Sequence, residues 1–207
     1  MQRAFIEHFA GVIGRRRPIL GPLMTIAAVS LTTSWIIQPY LAHALGAQGP
    51  VAQQAAQGAL WVSGMLSPLA ALGKALGLAV VCWSCSVFLG ERIPLAKLIS
   101  VFCVAEIVFS LRDLTAAGVL VARGIGAVHS PADLMIGFGV NAFVHAVSPL
   151  QRISLETWDF FTVAWASLVC ACLCGACKVS ARPAIVLALV AFAVRVLFAA
   201  SALLYTL

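Results

Sequence analysis

Long apolar runs alternate with short polar breaks along this chain, and that rhythm sets its architecture. A helix that crosses a bilayer needs about 20 mostly apolar residues. Five stretches meet this requirement, approximately 19–41, 66–89, 95–122, 157–177 and 183–206. The uncharged run AQGPVAQQAAQG separates the first two and makes 42–65 a loop. LGERIP separates the second and third, and KVSARP the last two. The pattern predicts an all-α, polytopic membrane bundle of about five transmembrane helices, with one transmembrane domain over 19–207.

Two segments follow a different pattern. Within 1–18, Phe5, Phe9, Val12 and Ile13 recur at helical spacing, with Arg3, Glu7 and His8 elsewhere. That periodicity predicts an amphipathic helix lying on the cytoplasmic leaflet. Arg15, Arg16 and Arg17 follow it as a basic group at the membrane surface. The stretch PADLMIGFGVNAFVHAV, 131–147, is short for a span and contains Asn141 and His145. Ser130 can cap a helix there, with Pro131 in its first turn. It reads as an outer interfacial or re-entrant helix. GRRRPILGPLMTIAAV also has the look of a twin-arginine leader, but its apolar run exceeds the roughly 7–15 residues of a signal core. It is therefore read as the start of the first span.

Composition strengthens this picture. The chain is 62% apolar and 10% charged, whereas soluble domains carry roughly 45–50% and 25%. The net charge of +6 bears on membrane orientation and anionic lipid, not on nucleic acid. Arg3, Arg15, Arg16, Arg17, Arg92, Lys97, Lys178 and Arg182 fall on one side of the five spans, against Arg123 and Arg152 on the other. The excess of cations inside predicts a cytoplasmic N-terminus in a multi-pass protein of the cell inner membrane. Trp35, Tyr40, Trp61, Trp158 and Tyr205 then form a belt at the outer interface.

Charges within hydrocarbon cost at least ~2.5–3.5 kcal/mol each at mid-span and face protein or water. Here they are Lys74, Glu106, Arg112, Asp113, Asp159 and Arg195. Ala184, Ala188, Ala191, Arg195, Ala199 and Ala202 make one stripe on the fifth span. The second span sets Ala70, Lys74 and Gly77 together, beside Gly73-x-x-x-Gly77. Small stripes permit close helix approach, so these faces are expected to converge and Glu106 to pair with Arg195, Lys74 or both.

Four of the seven cysteines crowd LVCACLCGACKVS. On a helix Cys170, Cys174 and Cys177 share a face while Cys172 points away. The three span roughly 10 Å of helix axis, too far for one tetrahedral ion at Zn–S distances of about 2.3 Å. Together with Cys82 and Cys85, they read as small, soft packing residues. No metal or cofactor is expected. Glu156 and Asp159 read as caps at the start of the fourth span. No nucleophile elbow, Walker loop or H-E-x-x-H motif occurs, and no catalytic role is expected.

Three stretches are similar to the Yip (Ypt/Rab-interacting protein) domain family, in particular its bacterial branch, over approximately 66–200. They are the Leu89-Gly90 hairpin leading into PLAKLISVFCVAEIVFSL, then TWDFFTVAW, where Asp159 and Phe161 match and Trp165 falls one residue later than in the family, and CGACKVSARPAIVLAL. The Gly/Tyr/Pro signatures of the eukaryotic branch are absent. This resemblance implies a five-helix bundle with a cytoplasmic N-terminus and no enzymatic activity. Some bacterial relatives accompany ABC-type exporters, which implies an accessory or scaffold subunit that binds other membrane proteins or itself. The competing expectation is a small transporter or ion-conducting subunit using Lys74, Glu106 and Arg195.

Overall fold

The computed structural model of the chain describes residues 19–45, 49–134, 136, 138 and 159–204. They form five helices: α1 (Leu20–Ala44), α2 (Pro50–Phe88), α3 (Leu95–Arg123), α4 (Phe160–Gly175) and α5 (Ala181–Leu204). Two 3-10 turns, Ile125–Ala127 and Pro131–Leu134, follow α3, and no strand occurs among the described residues. The expected amphipathic helix over 1–18, with Arg15, Arg16 and Arg17, lies outside the described residues, as do Trp158 and Tyr205.

Three helices are apolar and long enough to cross a membrane: Leu20–Ala44, Gln53–Phe88 and Ala181–Phe198. α3 has the length, at 29 residues, but every 18-residue window in it holds at least three charged residues. α4 is apolar but has 16 residues, about 24 Å of helix. The expected fourth span over 157–177 is thus a shorter helix, started by Asp159 and ended at Gly175. The outer surface of the bundle is greasy throughout: Met24, Met65, Leu69, Leu189 and Phe198 are each 61–65% exposed. Water does not stabilise such a surface, and lipid does.

The sequence pattern misplaces the start of α2. Residues expected in a loop over 42–65 are helical up to Ala44 and again from Pro50 onward. Alanine and glutamine favour the helix, and the Gly49-Pro50 step begins it. Gly49 takes φ 90°, open to glycine, and Pro50 occupies the first turn without needing its missing N–H. The Gln53 side chain donates to the Ala42 carbonyl at 3.3 Å and ties this extension to α1.

α2 packs on α3, α3 on α4, α4 on α5 and α5 back on α2, which closes a four-helix ring. α1 lies against α2 and α3. The ring encloses the main core, where Leu78, Cys82, Val101, Phe102, Trp165, Val169, Leu173 and Leu187 are all nearly inaccessible. Both short hairpins lie at the same end. Ile93 of the α2–α3 turn and Val179 of the α4–α5 turn enter that same core, and the Ser180 hydroxyl reaches Glu91 Oε1 at 3.5 Å. A smaller cluster of Ala44, Leu120 and Val128 closes the other end.

Of the expected outer helix over 131–147, the structure describes a single 3-10 turn, and most of the remainder lies outside the described residues. Ser130, expected to cap it, acts as a donor instead. The Asp133 carboxylate accepts from the backbone N–H groups of His129 and Ser130 and from the Ser130 hydroxyl. Those donors hold its pKa below the ordinary carboxylate value.

α1 and α2 meet where Gly64 faces Ser34, and the Ser34 hydroxyl contacts the Leu60 carbonyl at 3.5 Å. One turn on, Pro68 cannot donate to the Gly64 carbonyl, and the Ser67 hydroxyl donates to it at 2.9 Å instead. A Cβ on Gly64 would lie 2.7 Å from Ser34 Oγ, whereas one on Gly73 would meet nothing within 4 Å. Gly64→Leu is therefore expected to destabilise the protein by about 1–3 kcal/mol, and Gly73→Ala to leave the unfolding midpoint unchanged or raised. Thermal unfolding in one detergent checks both.

Candidate functional site

Glu106 lies on the buried face of α3, one turn from Cys103 and Ser110, and is 5% exposed. An isolated carboxylate in that setting would be strongly destabilised. Arg195 resolves this by reaching across the ring from α5, with its Nη1 2.6 Å from Glu106 Oε1. α3 and α5 are not ring neighbours, so the pair is a diagonal tie through the interior. The guanidinium stacks at 3.6 Å from the Phe109 ring centroid and 5.2 Å from that of Trp165. Phe102 stacks on Trp165 in turn, at 6.2 Å. A desolvated cation over aromatic faces gains about 2 kcal/mol.

A second pair joins α3 to the start of α4. Asp159 Oδ1 accepts from the Thr162 N–H at 2.6 Å and so caps α4, as expected of it. Its Oδ2 lies 3.2 Å from Arg112 Nε yet has no hydrogen-bond partner. Distance and orientation thus disagree: the Nε–H is not aimed at the oxygen, and the attraction is coulombic only. The Trp165 indole N–H is likewise buried without a partner.

Lys74 does not reach Glu106. It is exposed on α2, within coulombic range of Asp113, which also senses Arg112. The three charges in the middle of α3 thereby answer to different helices: Glu106 to α5, Arg112 to the start of α4 and Asp113 to α2. Three cations and three anions make the set neutral. Counted along the helices from the hairpin end, they occupy a layer about 17–27 Å deep. In this layer α3 is loosely covered, since none of Leu111 to Ala116 is buried, whereas Ser110 and Ala117 on either side are. The charges therefore form a polar waist between the main core and the smaller cluster.

The small stripes divide. On α5, Ala184, Ala188 and Ala191 are buried at the ring interior, as expected. On α2, Ala70, Gly73 and Lys74 point outward, and open space lies beside both Gly73 and Gly77. The inward residues of α2 are Ala71, Ala75, Leu78, Ala79 and Cys82. The expected convergence of that stripe on Glu106 is thus corrected. Four-residue spacing defined a face, but a second small face, Ala71, Ala75, Ala79 and Cys82, packs inside, while Leu69, Leu76 and Val80 turn outward.

All seven cysteines are free thiols. Cys172 is the buried member of its cluster, while Cys170, Cys174 and Cys177 are half-buried. Among the described residues no three His, Cys, Asp or Glu side chains are grouped to hold a metal ion. A groove of about 540 Å³ near the far end of α1, lined by Trp35, Pro39, Tyr40, Gln57 and Val121 among others, has no charged side chain.

No family model matches this chain, and no curated protein or solved structure matches it significantly. The Yip-like resemblance rests on the stretches quoted above. Sequence reasoning found the charges but not their aromatic bed. Phe109 stands one turn beyond Glu106, a spacing that could have marked it as the wall of the pair.

Removing Arg195 leaves the buried Glu106 charge uncompensated, and removing Glu106 leaves the half-buried Arg195 without its partner. Glu106→Leu and Arg195→Met are each expected to cost about 3–5 kcal/mol, and the double substitution to recover most of that loss. Unfolding midpoints of the four proteins in one detergent give the coupling.

Proposed function

We propose that the chain is a non-enzymatic, multi-pass accessory or scaffold subunit of a bacterial inner membrane. In this reading it binds other membrane proteins, with ABC-type exporter subunits among them, as the Yip-like resemblance implies. The observation that carries it is the direction of the α2 small-residue face. Ala70 and Gly73 are exposed, and neither Gly73 nor Gly77 has a neighbour within 4 Å of a Cβ built there. Faces of this kind let a second helix approach closely in lipid, where packing and not hydrophobicity drives association.

The competing reading, a small transporter or ion-conducting subunit, draws on the polar waist. Against it stands the neutral pairing: Glu106 is engaged by Arg195 and Asp159 is faced by Arg112. A pair such as Glu106–Arg195, closed within the bundle, fixes helix register.

Gly73→Leu combined with Gly77→Leu is expected to leave the unfolding midpoint within about 0.5 kcal/mol of the parent, as for surface changes generally. The same variant should reduce co-purification of the partner from native membranes at least tenfold, measured by quantitative mass spectrometry. Proton or ion flux in vesicles that depends on Glu106, and is abolished by Glu106→Gln in a folded protein, would establish the transport reading instead.

A further inference from the structure

The hairpin end of the ring carries an excess of positive charge. Arg92 and Lys97 come from the α2–α3 side and Lys178 and Arg182 from the α4–α5 side, and all four are exposed. Distant in sequence, they are brought to one end by the burial of Ile93 and Val179 in a common core and by the Ser180–Glu91 contact. Glu91 is the single acid in these two turns. None of the four cations forms an ion pair among the described residues.

Their placement runs against local preference. Lys97 and Arg182 stand in the first turns of α3 and α5, where acids are favoured and none is present. Lys178 has φ 57°, in the left-handed region where glycine is the usual residue after a helix. Lysine stands there at a backbone cost, in a turn already rich in positive charge. The two turns are thus held in a conformation that gathers cations on one surface.

We infer that this surface binds the phosphate headgroups of anionic phospholipids in the leaflet that the hairpin end meets. The inference is independent of the scaffold reading, and it rests on the four side chains. Lipid is the occupant because the helices that carry the patch are apolar up to their ends: Val87 and Phe88, directly before the first hairpin, are 61% and 90% exposed. A ligand at this level must present a phosphate to the cations and a hydrocarbon to those side chains, which a phospholipid does in one molecule.

The test uses the purified full chain in neutral detergent, titrated with phosphatidylglycerol, phosphatidylcholine or inorganic phosphate while the unfolding midpoint is followed. Phosphatidylglycerol is expected to raise the midpoint saturably and less so at high salt, with phosphatidylcholine and inorganic phosphate giving no comparable rise. Replacing Arg92, Lys97, Lys178 and Arg182 by glutamine one at a time should weaken binding roughly fivefold per cation. Lys178→Gly separates binding from folding. It should raise the lipid-free midpoint by about 2–4 °C, relieving roughly 1 kcal/mol of backbone cost, while weakening phosphatidylglycerol binding to the same extent as the glutamine variant. Equal responses to the two lipids overturn the inference, as does full phosphatidylglycerol affinity in the fourfold glutamine variant. Saturation by inorganic phosphate alone reassigns the site to a free anion. Loss of binding only when Arg15, Arg16 and Arg17 are replaced moves it to the N-terminal segment.

Discussion

A carboxylate held among apolar helices has to be matched by a cation, and in this bundle the match comes from across the ring. Glu106 sits on the helix that touches α1, α2 and α4, and Arg195 on the one helix with which α3 makes no broad contact. The pair therefore ties elements that their apolar surfaces do not bring together. Its geometry also dictates what stands around it. Phe109, Trp165 and Phe102 fill the volume that water would otherwise claim, so the attraction acts in a poorly screened setting. Sliding either helix by a turn, about 5.4 Å, would leave both charges unmatched. The relative register of α3 and α5 follows from this one constraint.

The remaining charges extend the same logic outward. Arg112 meets the cap of α4, and Asp113 lies within reach of Lys74 on α2. α3 thus acts as the charged spine of an otherwise greasy molecule, with two cores on either side of its polar waist. The lower core is large and shared by four helices, and the upper is a small contact of α1, α3 and the following turn. Stability is accordingly uneven along the bundle axis. The hairpin end is its firm part, where two tight turns lock four helices at one level.

Much of this was legible in the residues. The apolar runs gave five helices, because a twenty-residue apolar run leaves the backbone few alternatives to a helix in lipid. The opposite signs of Glu106 and Arg195 at similar depth pointed to their pairing, and Asp159 before an apolar run read as a cap. Two things were not legible. The Gln/Ala segment after Pro50 has neither the charge nor the apolar periodicity that marks a helix, and only its propensity and its docking on α1 reveal it. The direction of the Gly73-x-x-x-Gly77 face also escaped. A small-residue stripe is equally suited to an inner or an outer contact, and the choice depends on which neighbouring side chains claim the core. No spacing rule reports that competition.

The 39 residues of α2 measure about 58 Å, nearly twice the ~30 Å of a bilayer's hydrocarbon. Even tilted by about 40°, the upper end of the usual range, the helix would cover some 44 Å along the membrane normal. Its first turns therefore stand among or above the headgroups. They carry no charge, are clamped to α1 by Gln53, and run on through Pro68 into the helix below. The chain thus carries an uncharged helical extension beyond what the hydrocarbon of a bilayer can cover.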